Sequence, residues 1–430
     1  MRRSAREVFD YALAECNISR AFARNLLYSQ GTLSAAGHRY DLRSFALLAV
    51  VSIGKAGHSM AAALPQIIPQ QLTGIVSCPV MPEFPVPGFE YFLGGHPLPN
   101  EHSLSAGDAI LQLLRNLPKN TLVLFLISGG ASAIAEQPFY PYLTLSDIIE
   151  TNRTLVHCGA PIAEINAIRK HLSAIKGGRM AQAASPARQL SLLVSDVPDH
   201  ALDALASGPT MPDSSTVADC HAIANRYQLE QRFPERVRSI FEQCQLHETP
   251  KAGDPAFANS RFATVLSNQT AVNAAVERAT SLGFAVEADH TCDDWGYAAA
   301  ADYLLGRLRD LRQRSSRVCL VSGGEVTVQV GSKSGVGGRN QQFALYCAQR
   351  IAGETITVLS AGTDGIDGNS SAAGAVVDGS SIDRAAEFGL DAARALADFN
   401  ANPLLREIGD EIVTGPTGNN VRDLRILLAC

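Results

Sequence analysis

Val318-Cys-Leu-Val-Ser-Gly-Gly-Glu-Val-Thr-Val-Gln-Val330 runs into Gly331-Ser-Lys-Ser-Gly-Val-Gly-Gly-Arg-Asn-Gln-Gln342. A short apolar run ends at Ser322-Gly323-Gly324-Glu325, and Val326, Val328 and Val330 alternating with Thr327 and Gln329 predict a strand. A loop with four glycines then carries Arg339 to the start of a helix. Glycine lets backbone N–H groups come close to a ligand, and a helix start adds partial positive charge. An arginine there suits an anion of phosphate geometry, with Gly337, Gly338 and Asn340 as its binding neighbours. A bare surface connection fits the same composition, so the rest of the chain has to decide.

The same grammar recurs upstream and downstream. Leu47–Val51 ends at Ser52-Ile53-Gly54-Lys55-Ala56-Gly57, and Leu122–Ile127 at Ser128-Gly129-Gly130-Ala131-Ser132. Leu192–Val194 ends at Ser195-Asp196, Thr264–Leu266 at Ser267-Asn268, Val318–Val321 at Ser322-Gly323, and Ile356–Leu359 at Ser360-Ala361-Gly362-Thr363-Asp364. Continuous apolar runs separated by helical segments predict strands buried on both faces, hence a parallel α/β architecture. Ligands of such sheets sit beyond the carboxyl ends of the strands. Lys55, Ser128, Asp196, Glu325, Arg339 and Asp364 are therefore expected to face shared space.

Composition narrows the classes. With 430 residues, 46% hydrophobic and 18% charged, the chain is globular and long enough for more than one domain. A net charge of −6 and the lack of a basic stripe with aromatics argue against nucleic acid as a partner. Nine scattered cysteines show no metal-ligand spacing and read as buried thiols in a reducing compartment. No apolar run is long enough to span a bilayer, and a cytoplasmic location is expected. Helical patterns dominate 4–30 and end at Gly31, and the turn-rich His247–Pro255 is the expected linker. That linker divides the chain into 1–255 and 256–430. The oligomeric state stays open, a homodimer included.

Several motifs carry candidate chemistry. Lys55 lies between glycines where a strand meets a helix, a place that favours phosphate or carboxylate over packing. The loop is neither a Walker A sequence nor a dinucleotide fingerprint. Arg169-Lys170-His171 and Lys176-Gly-Gly-Arg179 form a basic cluster that also fits a solvated helix face. Asp196 follows a buried strand and fits a base, a metal ligand or a helix cap. Asp364, in an Asp-Gly turn, fits Mg²⁺, which needs only one or two carboxylates. His96, between glycine and proline, reads as a turn residue, and Asn100 or Ser103 as the cap of the next helix.

In this order the motifs resemble the glycerate 2-kinases with a C-terminal MOFRL domain, many of which carry the older label hydroxypyruvate reductase. The resemblance rests on Gly54-Lys-Ala, Gly94-Gly-His-Pro-Leu-Pro, Leu126-Ile-Ser-Gly-Gly, Asn166-Ala-Ile-Arg-Lys-His-Leu-Ser-Ala-Ile-Lys-Gly-Gly178 and Ser195-Asp-Val-Pro. It continues through Ala206-Ser-Gly-Pro-Thr, Ser322-Gly-Gly-Glu, Gly337-Gly-Arg-Asn-Gln, Gly362-Thr-Asp-Gly, Ala372-Ala-Gly-Ala-Val-Val-Asp and Thr414-Gly-Pro-Thr-Gly-Asn-Asn-Val421. Ala131, Asn100, Gln342 and Asn419 depart from the family's usual residues.

The resemblance implies a Rossmann-like parallel α/β/α N-terminal domain and a smaller mixed α/β C-terminal domain of MOFRL type. It implies ATP-dependent phosphorylation of D-glycerate at the 2-hydroxyl in an inter-domain cleft. Lys55 and Arg339 would then meet the transferring phosphate, and Asp196 the glycerate hydroxyl. Asp364 or Glu325 would hold Mg²⁺. Gly54, Ser128, Gly129, Gly130, Ser132, Arg169 and Lys176 would bind the glycerate carboxylate or the ATP phosphates, with the choice left open. The other readings are an NAD(P)H-dependent hydroxypyruvate reductase and a non-catalytic phosphosugar or nucleotide sensor.

Overall fold

The structure, a computed structural model, describes residues 1–331 and 335–430. Ser332, Lys333 and Ser334, part of the glycine-rich loop before Arg339, lie outside the described residues. The chain forms two compact units, Ala21–Val265 in the middle and Met1–Arg20 together with Leu266–Cys430.

The middle unit is built on a six-stranded sheet. Its spatial order is Phe89–Leu93, Thr73–Cys78, Leu47–Ile53, Thr121–Ser128, Arg188–Val194, Ser260–Leu266. Counted in chain order within this sheet, that is 3-2-1-4-5-6, the doubly wound order, and the first five strands are parallel. Thr121–Ser128 is buried at every position, as a central strand between helical layers must be. The helix Glu101–Arg115 packs Ala106, Ile110, Leu111 and Leu114 onto Val51, Ile53, Val123, Phe125 and Ile127. Asn100 and Ser103 together form its capping box. A second cluster joins the helices Leu145–Val156, Ile162–Leu172, Val217–Arg226 and Glu235–Glu242.

The other unit is mixed. Its sheet runs Ala285–Asp289, Val318–Gly323, Asp423–Ala429, Ile356–Gly362, Gly374–Asp378, Glu411–Ile412. Asp423–Ala429 inserts antiparallel between Val318–Gly323 and Ile356–Gly362. The helices Arg2–Glu15 and Asn268–Ser281 share one apolar cluster with this sheet, and Tyr297–Arg312 and Arg339–Arg350 share another.

The structure differs from the sequence expectations in four places. The helical stretch expected over 4–30 ends at Asn25. Helices Arg2–Glu15 and Ile18–Asn25 precede a meander of Leu26–Ser29, Thr32–Ala35 and His38–Asp41. Residues 326–330 form no strand. After Gly324, at φ +94°, the backbone leaves the sheet and Thr327 makes a single bridge to Gly296. His247–Pro255 belongs inside the middle unit, where Thr249 donates to the buried Asp213 at 2.8 Å. The chain therefore divides at 20/21 and 265/266 rather than at 255/256, because Ser260–Leu266 completes the middle sheet and Arg2–Glu15 packs with residues beyond it.

Candidate functional site

Two loops meet at the carboxyl edge of the middle sheet, where strand order reverses between Leu47–Ile53 and Thr121–Ser128. Crossovers leave this point on opposite faces, which opens a crevice. Gly54 has φ +120°, and a Cβ there would stand 2.3 Å from Ser128 Oγ, so only glycine lets the loops come this close. Lys55 N–H donates to Gly129 O at 2.9 Å, and Ala56 N–H to Ser128 Oγ at 3.0 Å. The Ser128 hydroxyl is thus a buried brace between loops. Lys55 is exposed, and its ammonium makes no ion pair among the described residues. A Cβ on Gly129 would stand 1.9 Å from Asp196 Oδ2. One on Gly130 would stand 2.9 Å from His96 Cδ2 and 3.2 Å from Lys55 Cγ. Lys55, His96 and Asp196 are thereby gathered around one Gly-Gly turn.

Beside that turn lies a cavity of about 160 Å³, bounded by His96, Ser132, Glu136, Asn152, Arg169 and Lys176 among others. Lys176 is buried and paired with Glu136, whose Oε1 also accepts from Ser173 Oγ at 2.6 Å. Burial lowers the proton affinity of Lys176, and Glu136 offsets this. Arg169 Nε donates to Asn152 Oδ1 at 2.8 Å. Burial lowers the Arg169 pKa as well, again opposed by Glu136, and burial with Lys55 nearby lowers that of His96. Ser132 Oγ shares a hydrogen bond of 2.7 Å with Ser207 Oγ.

The other unit gathers a second set of charges. Arg339 starts the helix Arg339–Arg350 and donates through Nε and Nη2 to Asp423, at 2.5 and 3.1 Å. Its Nη2 is also 2.8 Å from Glu325 Oε1. Burial works to lower the Arg339 pKa, but Asp423, Glu325 and Asp367 outweigh it and raise it. Arg422 pairs with both oxygens of Asp293, at 2.7 and 2.5 Å, and Asp293 Oδ1 accepts the Glu325 N–H at 3.0 Å. A Cβ on Gly362 would stand 3.1 Å from Asp364 Oδ1 and 3.4 Å from Asp423 Oδ1, so both carboxylates crowd this glycine. Gly338 is pressed against Asp367 in the same way, at 2.4 Å, while Gly337 N–H donates to Asn369 Oδ1. The Asn340 side chain is buried, donating to Asp367 at 3.3 Å and accepting from Ser360 Oγ at 2.6 Å. Its amide is spent inside the fold. Among the described residues no three His, Cys, Asp or Glu side chains are grouped to hold a metal ion.

A domain-of-unknown-function family model (DUF4147) matches residues 4–242, and the MOFRL family model matches 318–423. The D-glycerate 2-kinase of Thermotoga maritima is 35% identical over 88% of this chain and 89% of its own length. The chain belongs to the glycerate 2-kinase family. The human glycerate kinase is 32% identical over 99% of this chain and 93% of its own. A family relative in Agrobacterium vitis, 36% identical over 99% of this chain and 94% of its own, carries hydroxypyruvate reductase as a provisional name. The crystal structure of glycerate kinase from T. maritima superposes with a TM-score of 0.87, covering 100% of this chain and 99% of that one at 32% identity.

In this member of the glycerate 2-kinase family, sequence reasoning passed over several site residues. His96 read as a turn residue, yet its imidazole lines the cavity next to Lys55. Glu136 and Asn152 sit in unremarkable helical or turn sequence and gave no signal. Asp423 and Arg422 open the buried run Leu424–Ala429. Adjacent charges at the mouth of an apolar strand were the available clue, since such groups need partners once desolvated.

Proposed function

We propose that this chain transfers the terminal phosphoryl group of ATP to the 2-hydroxyl of D-glycerate, giving 2-phosphoglycerate. The observation that carries the reading is Lys55, an exposed ammonium held by the Gly54 and Ser128–Gly130 loops at the switch point of a doubly wound sheet. Phosphoryl transfer asks a protein mainly for positioning and for neutralising charge that spreads over the migrating group. Lys55 supplies a point charge to that group. Arg339, in the other unit, offers a planar fork suited to a phosphate, oriented by Asp423 and Glu325 and with Nη1 left without a partner among the described residues. Asp196, braced over Gly129, orients the glycerate hydroxyl and receives its proton.

Mg²⁺ on a nucleotide takes one or two carboxylates, its other ligands being phosphate oxygens and water. Asp364 fits that need, with Glu325 on the same unit as the second candidate. When bound, the ion neutralises charge on the nucleotide phosphates.

The reading is tested by incubating the protein with ATP, Mg²⁺ and D-glycerate, then adding enolase alone. Consumption of the product by enolase identifies 2-phosphoglycerate, and no product at all sinks the proposal. NADH oxidation on adding hydroxypyruvate would instead mark a reductase, although Gly54-Lys-Ala-Gly57 lacks the dinucleotide fingerprint. Lys55→Ala is expected to lower kcat by about 10²–10³, as for loss of one charge-stabilising donor. Arg339→Lys, which keeps the charge that Asp423 needs, should lower kcat by at least about tenfold through loss of the fork.

A further inference from the structure

We infer that the cavity beside the Gly129–Gly130 turn seats the carboxylate of the three-carbon acid, with Arg169 as its binding fork and Asn152 and Glu136 as positioning residues. The assignment rests on the kinase reading and decides which substrate this loop serves.

Three cationic or imidazole groups border the cavity, and two are accounted for. The Lys176 ammonium is buried and taken by Glu136, which is itself fixed by Ser173 Oγ and by the Gln137 N–H at 2.9 Å. His96 is held toward its neutral form by burial and by Lys55. Arg169 is different. Its Nε donates to Asn152 Oδ1 at 2.8 Å, which sets the plane of the guanidinium, and both terminal nitrogens lack a protein partner among the described residues. With Lys176 and Glu136 cancelling, one positive charge stays uncompensated on the wall, complementary to a single carboxylate. Two parallel N–H donors match its two oxygens.

Size favours the small acid over the nucleotide. About 160 Å³ lies well below the roughly 300–1,000 Å³ of pockets that take drug-sized ligands. Position agrees as well. Gly130 lines the cavity and also abuts Lys55, while the adjacent Gly129 abuts Asp196, so a carboxylate on Arg169 lies beside the same turn as both. Ser128 is not a competing ligand, because its hydroxyl already accepts from Ala56 N–H and lies 3.4 Å from Ile53 O.

The test is steady-state kinetics with both substrates varied, together with calorimetric titration of the intact protein with D-glycerate and, separately, its methyl ester. Arg169→Met should raise the glycerate KM and Kd by about 10- to 100-fold while the ATP KM stays within about twofold. Arg169→Lys should restore part of the loss. Asn152→Leu should fall between wild type and Arg169→Met. The methyl ester, which has no carboxylate, should bind wild type and Arg169→Met alike. An unchanged glycerate KM and Kd in Arg169→Met overturns the assignment, and so does a loss that falls on ATP instead. A wild-type protein that binds glycerate through Arg169 but yields no phosphoglycerate would sink the kinase reading and leave this site standing. Phosphoglycerate formation by Arg169→Met at the wild-type glycerate KM would do the reverse.

Discussion

Asp367 holds the start of the helix Arg339–Arg350 from a distant turn. Its oxygens accept from Asn340 N and Nδ2 at 3.0 and 3.3 Å, and from Gln341 N and Nε2 at 2.9 and 3.0 Å. It therefore caps two orphan N–H groups that no residue of the helix's own Gly338 end can reach. Burial pushes its carboxyl up to about 6, against the pull of those donors, and Asp423 adds to the rise. The folded chain then binds this proton more tightly than the unfolded one, so the group's contribution to stability is fullest at low pH. It is lost as pH rises through about 6. Between about pH 7.5 and 5, wild type should gain about 1.4 kcal/mol that Asp367→Asn does not gain. Urea midpoints for both proteins at the two pH values measure this. Lys55 and Arg339 were legible in the sequence because each sits next to glycines at a strand or helix boundary. Asp423, Asp293 and Glu136 were not, because their meaning lies in partners distant in the chain, such as Arg339, Arg422 and Lys176.

Among the elements, continuous apolar runs marked the central strands well, since Leu47–Ile53 and Thr121–Ser128 are buried on both faces. Strand direction was another matter. Asp423–Ala429 is as apolar and as buried as its neighbours, yet it runs antiparallel to both. Direction depends on the connection, not on the residues of the strand. The meander was hidden for a different reason. Its two-residue turns, Gln30-Gly31 and Ala36-Gly37, have positive φ at both positions, and Gln-Gly and Ala-Gly signal such a turn more weakly than Asn-Gly. The helix Glu101–Arg115 gives a case where two effects oppose. Gly107→Ala would favour the helix by about 1 kcal/mol. The new methyl would stand 2.2 Å from Glu136 O, however, and the resulting displacement costs about 1–3 kcal/mol. Packing should win, lowering the melting temperature and raising the glycerate KM as Glu136 shifts. A stabilised variant with unchanged KM would show that the backbone around Glu136 yields freely.

The whole chain divides less obviously than its composition suggests. His247–Pro255 has the proline, glycine and charge of a linker, yet it is packed around Asp213, because turn chemistry is the same in a packed loop as in a free one. The first helix instead joins residues far downstream. Ala5, Val8, Phe9 and Ala12 are buried against Val272, Ala275 and Ala279. Phe9→Ala should cost about 3–5 kcal/mol. Hydrogen exchange should show the loss in 266–430, with 21–265 keeping its protection. Loss of protection spread evenly over the chain would mean the two units unfold as one.

That arrangement has a consequence on the ribosome. Helix Arg2–Glu15 leaves the exit tunnel long before Asn268–Ser281, and at about 5–20 residues per second the delay is roughly 10–50 s. Throughout that interval the nascent chain carries Val8 and Phe9 with nothing native to cover them, while Ala21–Val265 is being completed. Chains arrested shortly before residue 268 should therefore recruit a chaperone at Arg2–Glu15, and release it once the later helix has emerged.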